Sequence, residues 1–383
     1  MIHVEVRPAV LRWAIARSRR PSVEFERKFP KLPSWLRGEA NPTLKQLESF
    51  AQAARTPVGC LFLSEPPAEQ LPLPDFRTAA GSAMVPPSAD LLETIYTCQL
   101  RQDWYRDFAR ANGEQALDFV GSSRLTDSVP ESAARIRRAL RFDVEERRQM
   151  RTWSEALRQF MIQADEAGIL VMAGGIVGSN TRRVLDPREF RGFTLADPIA
   201  PLIFINAADS KAAQMFTLAH ELAHVWLGRS ALSDAEARSE PAHDVERWCN
   251  QVAAELLVPL EAFRAECRIG AAWSDEAQRL AQVFKVSTLV VLRRMFDSQA
   301  LTRKQFEEAY SAEVDRLKRL TERPQEGGDF YATLSARVGR RFARALVAST
   351  LEGHTLFRDA YRLMGIRKES TFQKAAVKLG FEL

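Results

Sequence analysis

Apolar residues in the first 64 positions recur at helical spacing, but only in short bursts. Pro8 opens the first burst, with Leu11, Ala14 and Ile15 on one face, and it runs out near Arg19-Arg20-Pro21. Ser22 is placed to cap a second burst carrying Phe25 and Phe29. Residues 32–37 make a third, closed by Gly38, and Thr43 caps a fourth with Leu44, Leu47, Phe50 and Ala51 on one side. A fifth apolar turn, residues 58–63, completes a five-helix unit over residues 1–64. Prolines at 66, 67, 72, 74, 86 and 87 then interrupt both helix and strand, so residues 65–87 read as a linker. An amphipathic helix follows from about Ser88 to Ala111, within a connecting segment of residues 88–116. Strand-like runs are expected at 117–120, 169–172, 190–195 and 202–205, with helices between them. From Thr217 onward the spacing is almost wholly helical. The pattern predicts a mostly α, α+β protein with a small sheet in a domain of residues 117–300 and a helical C-terminal region, 301–383.

The chain has 383 residues, long enough for two or three cores. With 46% hydrophobic and 27% charged residues, a collagen-like or largely disordered chain is excluded. No apolar run approaches 18 residues, so no membrane association is expected. The first residues lack the apolar stretch of a signal peptide. Cys60, Cys98, Cys249 and Cys267 are scattered with no CxxC pair, arguing for reduced core thiols and a cytoplasmic setting. Charge is unevenly distributed: residues 1–62 carry +6, residues 301–383 carry +5, and the middle carries −6. Basic ends around an acidic centre suit either a nucleic-acid module joined to another domain or a solubilising surface.

The chemistry-bearing segment is Phe216-Thr-Leu-Ala-His220-Glu221-Leu-Ala-His224-Val-Trp-Leu-Gly228. On a helix, residues four apart share a face, so His220 and His224 can grip one ion. Glu221 lies about 100° around the helix, beside the ion rather than on it. A tetrahedral zinc site with an open position needs a third protein ligand. His243, Asp244, Glu246 and Glu255 are the candidates downstream. Glu246 and Glu255 are nine residues apart on a second helix that stops at Pro259, so they point to opposite faces. Glu246 is favoured because Asn250 shares its face and can hold a ligating imidazole; His243 comes second. Zinc at such a site activates water near neutral pH, with Glu221 taking the proton as a carbonyl is attacked. The apolar run 202–205 just before this helix either offers its edge to an extended peptide or is interior sheet.

These residues resemble the ImmA/IrrE family of zinc metallopeptidases. The likeness rests on residues 216–224, on the apolar strand ending in Asn206, and on Glu246, Asn250 and the run Ala253-Ala254-Glu-Leu-Leu-Val-Pro259. It spans roughly residues 120–300. It implies zinc held by His220, His224 and Glu246, catalysis by Glu221, and a substrate that is a helix-turn-helix repressor or antitoxin-like protein. Cys249 departs from the family's usual alanine, a small change at a core position. Residues 8–64 resemble the XRE-type helix-turn-helix unit through Trp35-Leu-Arg-Gly38-Glu and Pro42-Thr-Leu-x-Gln-Leu47. That likeness implies DNA contacts from Lys31, Ser34 and Arg37 and the possibility of a homodimer. The other readings are a DNA-binding regulator whose zinc is structural, and a metal-dependent interaction protein. Arg337, Arg341 and Arg344, at i, i+4 and i+7, form a basic stripe that reads first as a solvated helix face.

Overall fold

The computed structural model describes residues 3–69, 71–75, 86–233, 243–268, 272–321 and 330–382. Among them are eighteen α-helices, a short 3-10 helix and one four-stranded sheet, a mostly helical α+β architecture. The chain divides into two compact units, residues 1–72 with 83–96, and residues 73–82 with 97–383.

In the first unit, helices Pro8–Ser18, Ser22–Lys28, Leu32–Arg37 and Leu44–Ala53 close around Leu11, Phe25, Leu32, Trp35 and Phe50. Thr43 forms a reciprocal capping box with Gln46. Two local expectations change. Ser22 is the first helical residue and caps nothing, because Pro21 holds the N-cap position. The fifth element, Val58–Phe62, is a 3-10 helix too short to close α-helical turns.

The sheet of the second unit comprises β1 (Leu170–Gly174), β2 (Gly192–Leu195), β3 (Leu202–Asn206) and β4 (Ala231–Ser233), in the order β1-β3-β2-β4. β1 and β3 pair in parallel, while β2 is antiparallel to β3 and β4. Every strand residue is buried, as expected for a sheet covered on both faces. Residues 202–205 therefore provide no edge: β3 is interior. The backbone of residues 73–75 meets β4 instead, with the Leu232 amide donating to the Pro74 carbonyl at 2.9 Å.

Residues 117–120 form a turn, not a strand. Their neighbours spend their hydrogen bonds on the end of a helix: the Gly121 amide donates to Val225 O at 3.1 Å and the Ser123 amide to Trp226 O at 2.9 Å. Gly121 and Gly228 meet backbone to backbone, and a Cβ on Gly228 would lie 2.9 Å from Gly121 Cα. The arginine stripe is also broken. Arg337 ends helix Phe330–Val338, where it is buried, whereas Arg341 and Arg344 belong to helix Arg340–Leu351 beyond Gly339. Arg341 pairs with Tyr105 and Glu114, and Arg344 donates to Leu379 O. Cys98 and Cys249 are buried and Cys60 and Cys267 half-buried, all as free thiols. Among the described residues no helix is long and apolar enough to cross a membrane.

Candidate metal centre

Helix Lys211–Leu227 is apolar nearly all round and buried from Gln214 onward, as a central core helix must be. The Ser210 hydroxyl accepts from the Ala213 amide at one end. Gly228, at φ 65°, provides the left-handed residue that ends the other. Helix Asp244–Leu257 packs along it. The carbonyls at the C-terminus of this second helix are taken by arginines, Arg137 on Glu255 O and Arg147 on Leu257 O.

Between the two helices, three side chains converge. His220 Nε2 lies 3.1 Å from His224 Nε2 and 3.2 Å from Glu246 Oε2, and His224 Nε2 lies 3.0 Å from Glu246 Oε1. Donors around a tetrahedral zinc at 2.0–2.1 Å stand about 3.3 Å apart, so this triangle has the size such an ion requires. Asn250 Oδ1 is 2.9 Å from His220 Nδ1. An amide oxygen can only accept, so Nδ1 carries the proton and Nε2 keeps its lone pair for the triangle. Burial alone would raise the Glu246 carboxyl, but the two imidazoles outweigh it and hold the group well below the usual carboxylate range. A charged oxygen and two imidazole nitrogens thus face one point, a donor set suited to a divalent cation.

Glu221 is buried beside this triangle. Thr194, on β2, places its Oγ1 2.7 Å from Glu221 Oε2, whereas Glu221 Oε1 has no hydrogen-bond partner among the described residues. Burial pushes the Glu221 carboxyl upward, opposed by His220, His224 and the Thr194 hydroxyl. Gly192, also on β2, leaves the space next to Oε1: a Cβ there would stand 2.6 Å from Thr217 Cγ2, 2.9 Å from Phe204 O and 3.1 Å from Glu221 Oε1. Ser233 Oγ, on β4, is 3.4 Å from His224 Nε2.

The structure brings together His220, Glu221, His224, Glu246 and Asn250. It leaves His243 exposed at the N-cap of its helix, outside the triangle. Glu255 points away, into a buried ion pair with Arg294 at 2.8 Å. Thr194, Gly192 and Ser233 were not singled out from sequence; the one available signal was a hydroxyl inside the otherwise apolar run Phe193-Thr194-Leu195. In the other unit, Lys31 and Arg37 are exposed and Ser34 is half-buried on or beside the six-residue helix Leu32–Arg37. Arg37 is held by Glu39 through two hydrogen bonds of 2.7 and 2.8 Å.

Residues 164–296, which include both helices of the triangle, match the IrrE N-terminal-like domain, a metallopeptidase family. Residues 338–378 match a domain of unknown function, DUF8813. No curated protein matches the chain.

Proposed function

We propose that this protein is a zinc-dependent endopeptidase that regulates transcription or a stress or mobile-element response by cleaving a helix-turn-helix repressor or antitoxin-like protein. The observation carrying the proposal is the buried triangle of His220, His224 and Glu246 with Glu221 at its side. Those three residues would hold the ion, and Asn250 would orient His220. Zinc, when bound, supplies Lewis-acid polarisation of a carbonyl and of water. Glu221 takes a proton from the attacking water at Oε1, the oxygen left without a hydrogen bond, and passes it to the departing amine. Thr194 keeps the other oxygen still during this transfer. The likeness of residues 164–296 to a peptidase family supports the same chemistry.

The N-terminal unit is proposed as an XRE-type module presenting Lys31, Ser34 and Arg37 to DNA, supported by its excess of basic residues. Incubation with the product of the neighbouring gene, with zinc and with chelator, followed by mass spectrometry, tests the peptidase. One zinc per chain and fragments that vanish with chelator are expected. Intact partner in the presence of stoichiometric zinc overturns the cleavage assignment, and metal-free protein overturns the site.

A further inference from the structure

The C-terminal residues carry a second motif, unrelated to the metal centre. Helix Phe357–Met364 ends at Gly365, whose φ of 68° reverses the chain, and the Ile366 amide returns to Tyr361 O at 2.9 Å. Four residues, Gly365 to Lys368, lead into helix Glu369–Lys378. Ala360, fully buried, allows close packing. Phe372 from the second helix meets Phe357 and Tyr361 from the first, with ring centroids 5.6 Å apart in both pairs. Two short helices joined by a four-residue, glycine-containing turn and locked by a small core are the parts of a helix-turn-helix.

The outward side of the second helix is what such a unit exposes to a groove. Ser370, Gln373, Lys374 and Val377 stand at i, i+3, i+4 and i+7, all exposed. Residues 357–378 hold six Lys or Arg against Asp359 and Glu369. Arg367, Lys368 and Lys374 have no carboxylate partner among the described residues. Gln373 bonds Glu369 at 3.1 Å and would exchange that partner for a base edge. Ten residues make a helix about 15 Å long, a fit to a major groove about 12 Å wide. The exposed face carries hydrogen-bonding groups and one aliphatic side chain, not the aromatic rings that stack on single-stranded bases.

We infer that residues 357–378 form a helix-turn-helix that binds double-stranded DNA, with Ser370, Gln373, Lys374 and Val377 in the major groove and Arg367 and Lys368 on the phosphates. Fluorescence anisotropy of a labelled random-sequence duplex of about 30 base pairs, titrated with the full-length protein at about 50 mM salt, tests this. The parent is expected to bind with an affinity that falls steeply with salt. Arg367→Glu with Lys368→Glu should weaken binding at least about tenfold and flatten the salt slope by about 2, at unchanged melting temperature. In a Lys31→Glu background the C-terminal pair should still cost at least about tenfold, so the two units are read separately. Absence of binding by the parent, or binding indifferent to the C-terminal pair, overturns the inference. Equal competition by single-stranded RNA overturns the groove assignment. No cleavage is read, so the result is independent of the peptidase reading.

Discussion

Thr194 Oγ1 sits 2.7 Å from Glu221 Oε2, a hydroxyl donating to one oxygen of a buried carboxylate whose other oxygen has no such partner. The two oxygens of Glu221 are thereby made different. One is fixed to the sheet, and the other, beside Gly192, keeps its lone pairs free of hydrogen bonds among the described residues. In the proposed mechanism Thr194 is a positioning residue for the base.

Glu221→Gln is expected to keep its metal and lose cleavage by about 10²–10⁴-fold, because only the proton acceptor is removed. Thr194→Val should retain zinc and KM but lower kcat by about 10–100-fold, the worth of a hydrogen bond to a charged group. Thr194→Ser should restore most of that loss. Steady-state kinetics beside elemental analysis separates these outcomes, and a valine variant as fast as the parent would remove Thr194 from the mechanism.

Asn250→Ala deprives His220 Nδ1 of its acceptor. Zinc affinity should fall by about 10–100-fold, read by competition with a chromogenic chelator. Asn250→Asp keeps the acceptor and should recover binding; equal affinities for all three proteins would make the contact incidental.

Glu246→Ala and Glu255→Ala should fail differently. The first removes a ligand, so metal content should collapse while the apo-protein stays folded. The second leaves the buried Arg294 with Asp297, at 3.1 Å, as its remaining carboxylate and should cost about 1–3 kcal/mol of stability with the metal triangle intact. Elemental analysis and urea denaturation read the two effects, and a reversed order would exchange their roles.

Asp165, outside the metal triangle, supplies a separate pH signature. Burial lifts its carboxyl to about 6 from 3.8, against the Arg341 amide, which donates to it at 3.1 Å. The folded state therefore binds the extra proton between about pH 4 and 6, and this group's contribution to stability declines as pH rises through that window. Asp165→Asn keeps the acceptor and abolishes the titration. Its stability advantage should be absent near pH 4 and reach about 1–2 kcal/mol above pH 6, allowing for partial exposure. A constant difference between pH 4 and 8 in thermal melts would refute the shift.

The metal helix was legible because its signal is local: two histidines and a glutamate at fixed offsets within an uninterrupted apolar run. The separation of Glu246 from Glu255 followed from helical geometry alone, since nine residues turn one of them away. Residues 117–120 misled for the opposite reason. An apolar quartet has no period long enough to distinguish strand from turn, and its partners lie far along the chain: the Leu117 amide donates to Pro198 O, and the adjoining Gly121 and Ser123 amides to Val225 O and Trp226 O. β4 is only three residues long, and what makes it a strand is pairing with β2. Thr194 gave only the weak signal of a hydroxyl in an apolar run, because its meaning lies in a partner 27 residues away across the sheet-helix interface.

Gly121 and Gly228 touch with no side chain between them. The end of the helix that carries His224 is therefore seated directly on another stretch of main chain. Even a methyl group on Gly228 would have to be absorbed by sliding that terminus, and the imidazole one turn back would travel with it, whereas one on Gly121 would meet Gly228 at an ordinary 3.7 Å. A random-mutagenesis screen scored for metal retention should accordingly return hits at 228, a position devoid of any functional group.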